Sequence, residues 1–329
     1  MEFLIELSLP ISIWFQTAPE WLIAVSKGFT FLGNTEFYLL IMPALFWCID
    51  SVLGIRIGIM LLVSGGVNSL LKLGFQWPRP FWVSSQVENL VDASGFGFPS
   101  GHAQNAASIW GLLGVSFPRK WQRWGAVLVI LGIGMSRIAL GVHFAHDVAA
   151  GWLVGSLLLV IYLLLEKRVA AWFKEHSVPN QLLALMVCTS LLILPALALV
   201  PPFDPPSLPG NWNLGAGIII SPYSYHDLLT TAGAFFGLGL GLIFLENKGG
   251  FSSRGLIWQR ILRYLLGLVG VAALYLGLGS IFPDTVDLTS YILRFLRYTL
   301  IGLWISWGAP VLFISLKLAK RSDTSTASS

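Results

Sequence analysis

Long apolar stretches recur along the whole chain and are separated by short polar segments. A helix needs about 20 mostly apolar residues to cross the hydrocarbon core of a bilayer, and nine stretches approach or exceed that length. The predicted spans are Trp21–Cys48, Val52–Gly74, Gly101–Phe117, Trp121–Leu140, Ala145–Leu165, Gln181–Val200, Leu228–Leu245, Ile261–Phe282 and Tyr291–Leu318. The pattern therefore predicts an all-α fold, a polytopic transmembrane helical bundle with about nine spans.

Composition supports this class of protein. Of the 329 residues, 55% are hydrophobic and only 11% are charged, which excludes an ordinary soluble domain. The net charge of +4 could suggest a nucleic-acid partner, but the chain has no soluble basic patch with interleaved aromatic residues. We therefore expect membrane lipids, and no nucleic acid, as partners.

The basic residues favour one orientation of a multi-pass membrane protein. With the N-terminus outside and the C-terminus in the cytoplasm, the inner segments carry fourteen of the 20 Lys and Arg residues, as the positive-inside rule requires. These fourteen are Arg56, Arg119, Lys120, Arg123, Lys167, Arg168, Lys174, Lys248, Arg254, Arg260, Arg263, Lys317, Lys320 and Arg321. Arg294 and Arg297 do not fit the rule.

Two of the segments outside the predicted spans have a distinct expected structure. Residues 1–16 are expected to form a short helix at the membrane interface. The Pro/Gly-rich stretch 201–222 is typical of a stiff, irregular loop. We therefore divide the chain into a core at 1–200, an outer loop at 201–222, and a C-terminal extension of three membrane helices with a short cytoplasmic tail at 223–329.

A polar run, Ser136–Asp147, lies between two apolar spans. Charged groups are costly near hydrocarbon, so such a run indicates a functional site. Two other polar stretches, Lys72–Pro80 and Phe98–His102, lie upstream. The predicted chain crosses the membrane twice between His102 and Arg137, and an even number of crossings returns it to the same face. We therefore expect the three stretches to meet on the outer, non-cytoplasmic face.

The chemistry of these stretches is that of a phosphate site. Lys72, Arg79 and Arg137 supply three cations, and the two guanidinium groups can hold phosphate oxygens in bidentate fashion. Ser100 is a natural helix N-cap, and Gly101 permits close approach to the backbone. The N–H groups at that helix start favour an anion. No cluster of carboxylates suited to magnesium stands beside them in the sequence, so we expect neither a metal nor a cofactor.

Two histidines and an aspartate provide a reaction. His143 and Asp147 are four residues apart, so on a helix the carboxylate can hold one imidazole nitrogen and fix the tautomer. His102 can then act as general acid toward the leaving oxygen. The predicted sequence of events is attack by His143 on phosphorus, a phosphohistidine intermediate, and hydrolysis by a water that His102 activates.

Three motifs in this order resemble the signature of the type 2 phosphatidic acid phosphatase superfamily. They are Lys72-x6-Arg79-Pro80, Pro99-Ser100-Gly101-His102 and Ser136-Arg137-x3-Gly141-x-His143-x3-Asp147. The resemblance implies a six-helix core, here followed by three C-terminal helices, and a phosphatase that needs no metal. It also implies site residues: the nucleophile His143, its partner Asp147 and the acid His102, with the phosphate held by Lys72, Arg79, Ser100, Gly101 and Arg137.

A second resemblance concerns the architecture. Nine spans, an outward N-terminal segment and the runs Arg79–Trp82 and His143–His146 are similar to glucose-6-phosphatases, whereas Asp147 follows the pattern of bacterial lipid phosphatases. The leading hypothesis is a phosphatase for a lipid substrate, such as a polyprenyl pyrophosphate, phosphatidic acid, phosphatidylglycerol phosphate or a sphingoid phosphate. The alternative is hydrolysis of a soluble sugar phosphate, and a remote one is a lipid or phosphate transporter.

For some polar and aromatic residues we expect a structural role and not a catalytic one. We expect His146 to have a packing or hydrogen-bonded role instead of lining the substrate mouth. Glu36 is expected to be a buried carboxylate paired with Lys27, and His226, beside Asp227, a solvated helix cap instead of half of a reactive pair. The aromatic residues of the first motif are expected to form an interfacial belt, with bracketing of a lipid tail as the alternative; they are Trp77, Phe81 and Trp82.

Overall fold

The chain is described by a computed structural model that is 76% helical, which confirms the all-α prediction. The residues that the structure describes are 1–201, 203, 206–210, 212 and 222–322. Within them the β-structure is limited to a single bridge between Ser252 and Lys320. The predicted outer loop at 201–222 falls largely outside the described residues, as does the end of the tail, 323–329.

Fifteen helices and four π turns follow one another along the described chain. The helices are α1 (Glu2–Gln16), α2 (Glu20–Phe31), α3 (Thr35–Ala44), α4 (Ser51–Phe75), α5 (Pro80–Val83), α6 (Gly101–Asn105), α7 (Gly111–Ser116), α8 (Lys120–Ala139), α9 (Ala145–Glu175), α10 (Val178–Leu199), α11 (His226–Glu246), α12 (Ile257–Ala272), α13 (Leu278–Ile281), α14 (Leu288–Leu303) and α15 (Ala309–Ser315). The π turns are Leu45–Ile49, Ala106–Trp110, Ala273–Gly277 and Trp304–Gly308. The predicted helix at 1–16 is confirmed as α1.

Six helical segments of the described chain are long and apolar enough to cross a membrane. They are Ser51–Val83, Ala145–Glu175, Val178–Leu199, His226–Glu246, Ile257–Ile281 and Leu288–Ser315. A seventh candidate is bent by 49° between Glu20–Phe31 and Glu36–Ile49. These coincide with seven of the nine predicted spans.

The two other predicted spans, 101–117 and 121–140, are helical but lack the length or the apolar composition of a membrane-spanning helix. The first ends at Ser116 and is interrupted by a π turn, so it falls short of the ~20 residues that a bilayer requires. The second, α8, carries Arg123 near its start and Arg137 near its end. Length and composition thus support six or seven spans, fewer than the nine predicted.

The described chain forms two compact units that differ from a simple N- and C-terminal division. The first unit contains Met1–Tyr38, Ser64–Glu166 and Pro195–Ser224. The second contains Leu39–Val63, Lys167–Leu194 and Tyr225–Ser329. The division of the sequence at 201–222 stays a prediction, and all three motifs lie in the first unit.

Small residues let the helices of the first unit approach closely. A Cβ added to Gly151 of α9 would lie 2.6 Å from the carbonyl oxygen of Ser100, and one added to Gly155 would lie 2.3 Å from that of Gln104. Real Cβ atoms do not approach an oxygen so closely, so α9 lies directly against the start of α6. Small residues one helical turn apart are the usual means of bringing membrane helices together.

In the second unit, α11 and α14 also pack closely at a glycine. A Cβ on Gly237 would lie 2.0 Å from the carbonyl oxygen of Thr299. Around this pair lies an apolar core in which the fully buried Trp47 donates its indole N–H to the carbonyl oxygen of Ile305 at 2.9 Å. Arg263 is also fully buried, and it donates to backbone carbonyls of Ser252–Arg254.

The two arginines that did not fit the charge rule have local partners in the second unit. Arg294 Nη2 lies 2.5 Å from Asp284 Oδ1. Arg297 donates to the carbonyl oxygen of Tyr275 at 2.5 Å and stacks over the Tyr275 ring.

His226 also has a partner in this unit. Its Nδ1 lies 3.4 Å from Asp284 Oδ1, and the N-cap of α11 is Tyr225. The expectation that His226 is a solvated cap is therefore wrong.

Two other expectations need correction. Phe81 and Trp82 are 7% and 0% exposed and pack with Phe96, so they belong to the core of the first unit and not to an interfacial belt. Glu36 is exposed, and among the ion pairs of the described residues none joins it to Lys27. Both errors arise because an apolar environment in the sequence does not reveal which face of a helix is covered.

The contact between α9 and α6 predicts a stability difference between two glycine substitutions. Gly155→Ala should lower the free energy of unfolding by about 1–3 kcal/mol, because the new methyl group has no room at the Gln104 carbonyl. Gly125→Ala in α8 is the matched control, since a Cβ there meets nothing within 4 Å, and it should leave stability unchanged or slightly raised. Thermal unfolding in detergent measures both, and equal midpoints would contradict the close approach.

Candidate active site

The turn at the end of α8 joins Arg137 to His143. Gly141 has φ +74°, and the N–H groups of Val142 and His143 both donate to the carbonyl oxygen of Arg137 at 3.2 Å. This is the glycine-terminated helix end known as a Schellman motif. A Cβ on Gly141 would lie 2.1 Å from the carbonyl oxygen of Glu88, so a side chain is excluded by space as well as by conformation.

His143 and Asp147 form the pair that their spacing predicted. His143 Nδ1 lies 3.3 Å from Asp147 Oδ2, and the N–H of Phe144 donates to the same oxygen at 2.9 Å. His143 is 2% exposed and Asp147 is fully buried. The carboxylate therefore accepts from Nδ1–H of His143 and leaves Nε2 with its lone pair, which is the tautomer that a nucleophile needs.

Arg79 approaches His143 from the opposite side. Its Nη1 lies 3.3 Å from His143 Nε2 and donates to the carbonyl oxygen of Val142 at 2.8 Å. Its Nε and Nη2 donate to the carbonyl oxygens of Gly95 and Ser94 at 2.8 and 2.6 Å. Since a guanidinium only donates, the lone pair at Nε2 faces a positive charge.

The second motif is tied to the third through the backbone. The N–H of Ser100 donates to the carbonyl oxygen of Asp147 at 3.0 Å, and Ser100 Oγ caps α6 by accepting from the N–H of Ala103. A Cβ on Gly101 would lie 2.8 Å from Asn68 Oδ1. Asn68 in turn donates to the carbonyl oxygen of Pro99 at 3.2 Å, which fixes the approach to the helix.

The remaining predicted residues add positive charge around His143. Arg137 is 4% exposed, Arg79 Nη1 lies 3.3 Å from His143 Nε2, and Lys72 lies in the last turn of α4 in the same unit. A concentration of cations of this kind favours an anionic ligand. The structure brings all eight predicted site residues into the first unit; their catalytic and binding roles stay predictions.

His146 has the hydrogen-bonded packing role that was expected. Its Nδ1 lies 2.9 Å from Ser8 Oγ, and its ring stacks on Phe144 with centroids 5.1 Å apart. Its Nε2 lies 3.3 Å from Asp147 Oδ1, an ion-pair distance without hydrogen-bond alignment. His146 therefore supports the side of the aspartate that His143 does not use.

Two residues outside the motifs contact the site and were missed from the sequence. Asn34 Oδ1 lies 2.9 Å from His102 Nε2, and Thr30 Oγ1 accepts from Arg137 Nη1 at 2.6 Å. A signal was present, because Ser26, Thr30 and Asn34 recur every fourth position in a stretch that is otherwise apolar apart from Lys27. Polar groups with helical spacing in a membrane segment indicate a face that needs partners.

No group of three His, Cys, Asp or Glu side chains in the described part of the chain is arranged to hold a metal ion. The expectation that the reaction needs no metal stays a prediction. The assignment of Lys72, Arg79 and Arg137 to a bound phosphate likewise stays a prediction.

Comparisons with known proteins agree with this geometry. The PAP2 superfamily matches residues 53–170, which include all three motifs, and the family described as PAP2 superfamily phosphatase, transmembrane extension, matches residues 229–321. No solved structure matches.

Three relatives illustrate the range of the similarity. Phosphatidylglycerophosphatase B of Bacillus subtilis (strain 168) is 33% identical over 159 residues, or 43% of this chain and 73% of the relative. Glucose-6-phosphatase 3 of Homo sapiens is 27% identical over 343 residues, or 91% and 92%. Sphingosine-1-phosphate phosphatase 1 of Mus musculus is 30% identical over 139 residues, or 40% and 32%. The chain belongs to the PAP2 superfamily.

Proposed function

We propose that this protein hydrolyses a phosphate monoester or pyrophosphate of a membrane lipid through a phosphohistidine intermediate on His143. The observation that carries the proposal is the position of His143 between two groups of opposite charge. Asp147 accepts from Nδ1, and Arg79 lies 3.3 Å from Nε2. A phosphoryl group bonded to Nε2 would therefore form beside a guanidinium, where its negative charge is stabilised.

In the first step the Nε2 lone pair of His143 forms a bond to phosphorus while the bond from phosphorus to the leaving oxygen breaks. His102 gives a proton to that oxygen. The imidazole ring becomes positively charged, and the buried carboxylate of Asp147 stabilises it. Lys72, Arg79 and Arg137 offset the charge of the phosphoryl oxygens, so the step needs no metal and proceeds with a chelator present.

In the second step a water molecule attacks phosphorus and gives its proton to His102, which is neutral after the first step. The electron pair of the N–P bond returns to His143 Nε2, and inorganic phosphate leaves. Both histidines then have the protonation with which they began. His102 serves as acid in one direction and as base in the other, as expected for a reaction that passes through a covalent intermediate.

A lipid substrate is supported by relatives over the catalytic region. Phosphatidylglycerophosphatase B and sphingosine-1-phosphate phosphatase 1 are named for lipid phosphates and match 43% and 40% of the chain. The second candidate is a soluble sugar phosphate, since glucose-6-phosphatase 3 matches 91% of the chain, including the C-terminal extension. The same site residues serve either substrate.

The active site is proposed to face the non-cytoplasmic side. The support is the concentration of fourteen of the 20 basic residues in segments assigned to the opposite side. In bacteria this face is the exterior of the plasma membrane, and in a eukaryotic organelle it is the lumen.

Replacing the nucleophile tests the mechanism. His143→Ala should lower kcat by at least about 10³-fold, because the variant has no imidazole at that position to accept the phosphoryl group. His176→Ala is the matched control, since that ring stacks on Trp172 outside the site, and it should keep the wild-type rate. Release of inorganic phosphate in buffer with EDTA measures both. A His143→Ala variant with near-normal turnover, or a wild-type rate that EDTA removes and magnesium restores, would contradict the mechanism.

A substrate panel separates the two candidates. We expect kcat/KM for lipid phosphates in mixed micelles to exceed that for glucose 6-phosphate by at least about tenfold, since each buried CH₂ contributes ~0.8 kcal/mol. The panel contains phosphatidic acid, phosphatidylglycerol phosphate, a polyprenyl pyrophosphate, a sphingoid phosphate and glucose 6-phosphate. A higher kcat/KM for glucose 6-phosphate would select the sugar phosphate instead.

An impermeant substrate tests the face. Intact cells that express the protein should hydrolyse external p-nitrophenyl phosphate faster than cells that express His143→Ala, because the charged ester reaches an outward site without crossing hydrocarbon. In bacterial cells, where the proposed face is the exterior of the plasma membrane, phosphatase activity that appears only after detergent permeabilisation would place the site on the cytoplasmic face.

A further inference from the structure

The end of α2 buries polar side chains that none of the three motifs contains. Ser26 and Thr30 are each 6% exposed, and they lie one helical turn apart on one face. The chain continues past the end of α2 as a turn, with the N–H of Asn34 donating to the carbonyl oxygen of Phe31 at 3.1 Å. Asn34 thus lies just beyond the helix, four residues after Thr30, and is half-buried. Polar groups that are withdrawn from solvent require hydrogen-bond partners, and those of Thr30 and Asn34 are site residues.

Asn34 contacts one edge of the His102 ring. Its Oδ1 lies 2.9 Å from His102 Nε2, and a Cβ on the neighbouring Gly33 would lie 2.8 Å from His102 Cδ2. The edge formed by Nε2 and Cδ2 is therefore packed against this turn. An amide oxygen only accepts, so Asn34 holds the proton on Nε2 and leaves Nδ1 as the nitrogen that exchanges a proton.

Thr30 contacts Arg137 in a way that keeps the positive charge of the guanidinium available. Arg137 Nη1 donates to Thr30 Oγ1 at 2.6 Å, and Ser136 Oγ lies 3.3 Å from the same oxygen. A carboxylate in that place would neutralise the guanidinium, whereas a hydroxyl holds it by a hydrogen bond alone. The side chain is fixed without losing attraction for a phosphate.

We infer that Asn34 and Thr30 are positioning residues for the phosphatase reaction, a role that rests on the function proposed above. Asn34 orients His102 so that Nδ1 exchanges the proton with the leaving oxygen and then with the attacking water. Thr30 holds Arg137 toward the phosphate. The bent segment at the end of α2 is thereby a fourth element of the site, in addition to the three motifs.

The test compares two leaving groups. An alkoxide leaves only when it receives a proton, whereas p-nitrophenolate leaves without one, and kcat/KM reports the first step alone. The alkyl phosphate is dioctanoyl phosphatidic acid or glucose 6-phosphate, whichever is turned over faster, and the aryl phosphate is p-nitrophenyl phosphate. The comparison is therefore independent of which alkyl substrate is natural.

Asn34→Leu should lower kcat/KM for the alkyl phosphate by about 10–100-fold and for the aryl phosphate by less than about threefold. Asn34→Asp keeps an acceptor for Nε2 and should restore the alkyl rate to within about fivefold of wild type. In a His102→Ala background, Asn34→Leu should cause no further loss, because it acts through His102. Ser26→Ala is the control on the same face of α2 and should leave both rates unchanged.

Thr30→Val should raise the inhibition constant of inorganic phosphate by about tenfold, and Thr30→Ser, which keeps the hydroxyl, should restore it. An equal loss of both rates in Asn34→Leu, or a further loss in the His102→Ala background, would overturn the positioning role of Asn34. An unchanged phosphate constant in Thr30→Val would overturn that of Thr30. If His102→Ala itself lost both rates equally, the acid assignment in the proposed function would fail instead, and the additivity of the double variant would still decide on Asn34.

Discussion

The first unit depends on keeping positive charge concentrated in a buried place. Arg79 and Arg137 are nearly inaccessible to solvent, and a buried cation is costly unless it is hydrogen-bonded. Among the hydrogen bonds of the described residues, three backbone carbonyls accept from Arg79 and a threonine hydroxyl accepts from Arg137. These neutral acceptors stabilise the guanidinium groups without cancelling the charge that an anionic substrate requires.

Close packing of the backbone places the neutral partners of Arg79 beside it. The carbonyls of Ser94 and Gly95 reach Arg79 from the loop before α6, and α6 itself lies against α9 because Gly151 and Gly155 carry no side chain. The backbone bond from Ser100 to Asp147 depends on the same contact. The packing of the helices and the electrostatics of the site therefore both depend on these small residues.

The sequence allowed the fold class to be predicted, since long apolar runs are a local property, and motif spacing predicted eight site residues whose roles stay predictions. By length and composition the described chain has six or seven spans against nine predicted, because 101–117 is short and interrupted and α8 carries Arg123 and Arg137. Ser100, at the start of 101–117, nevertheless contacts Asp147. Phe81 and Trp82 were assigned to an interface because composition does not tell which face a neighbouring loop covers. Thr30 and Asn34 were missed because their partners are more than 60 residues away in the chain.

The glycine turn after α8 has a consequence for how the site can move. Arg137 and His143 are linked by backbone hydrogen bonds across a single turn, so they behave as one rigid piece. A rearrangement that keeps these hydrogen bonds moves the backbone of both residues together. The turn therefore couples the position of the last turn of α8 to that of the residue that begins the next part of the third motif.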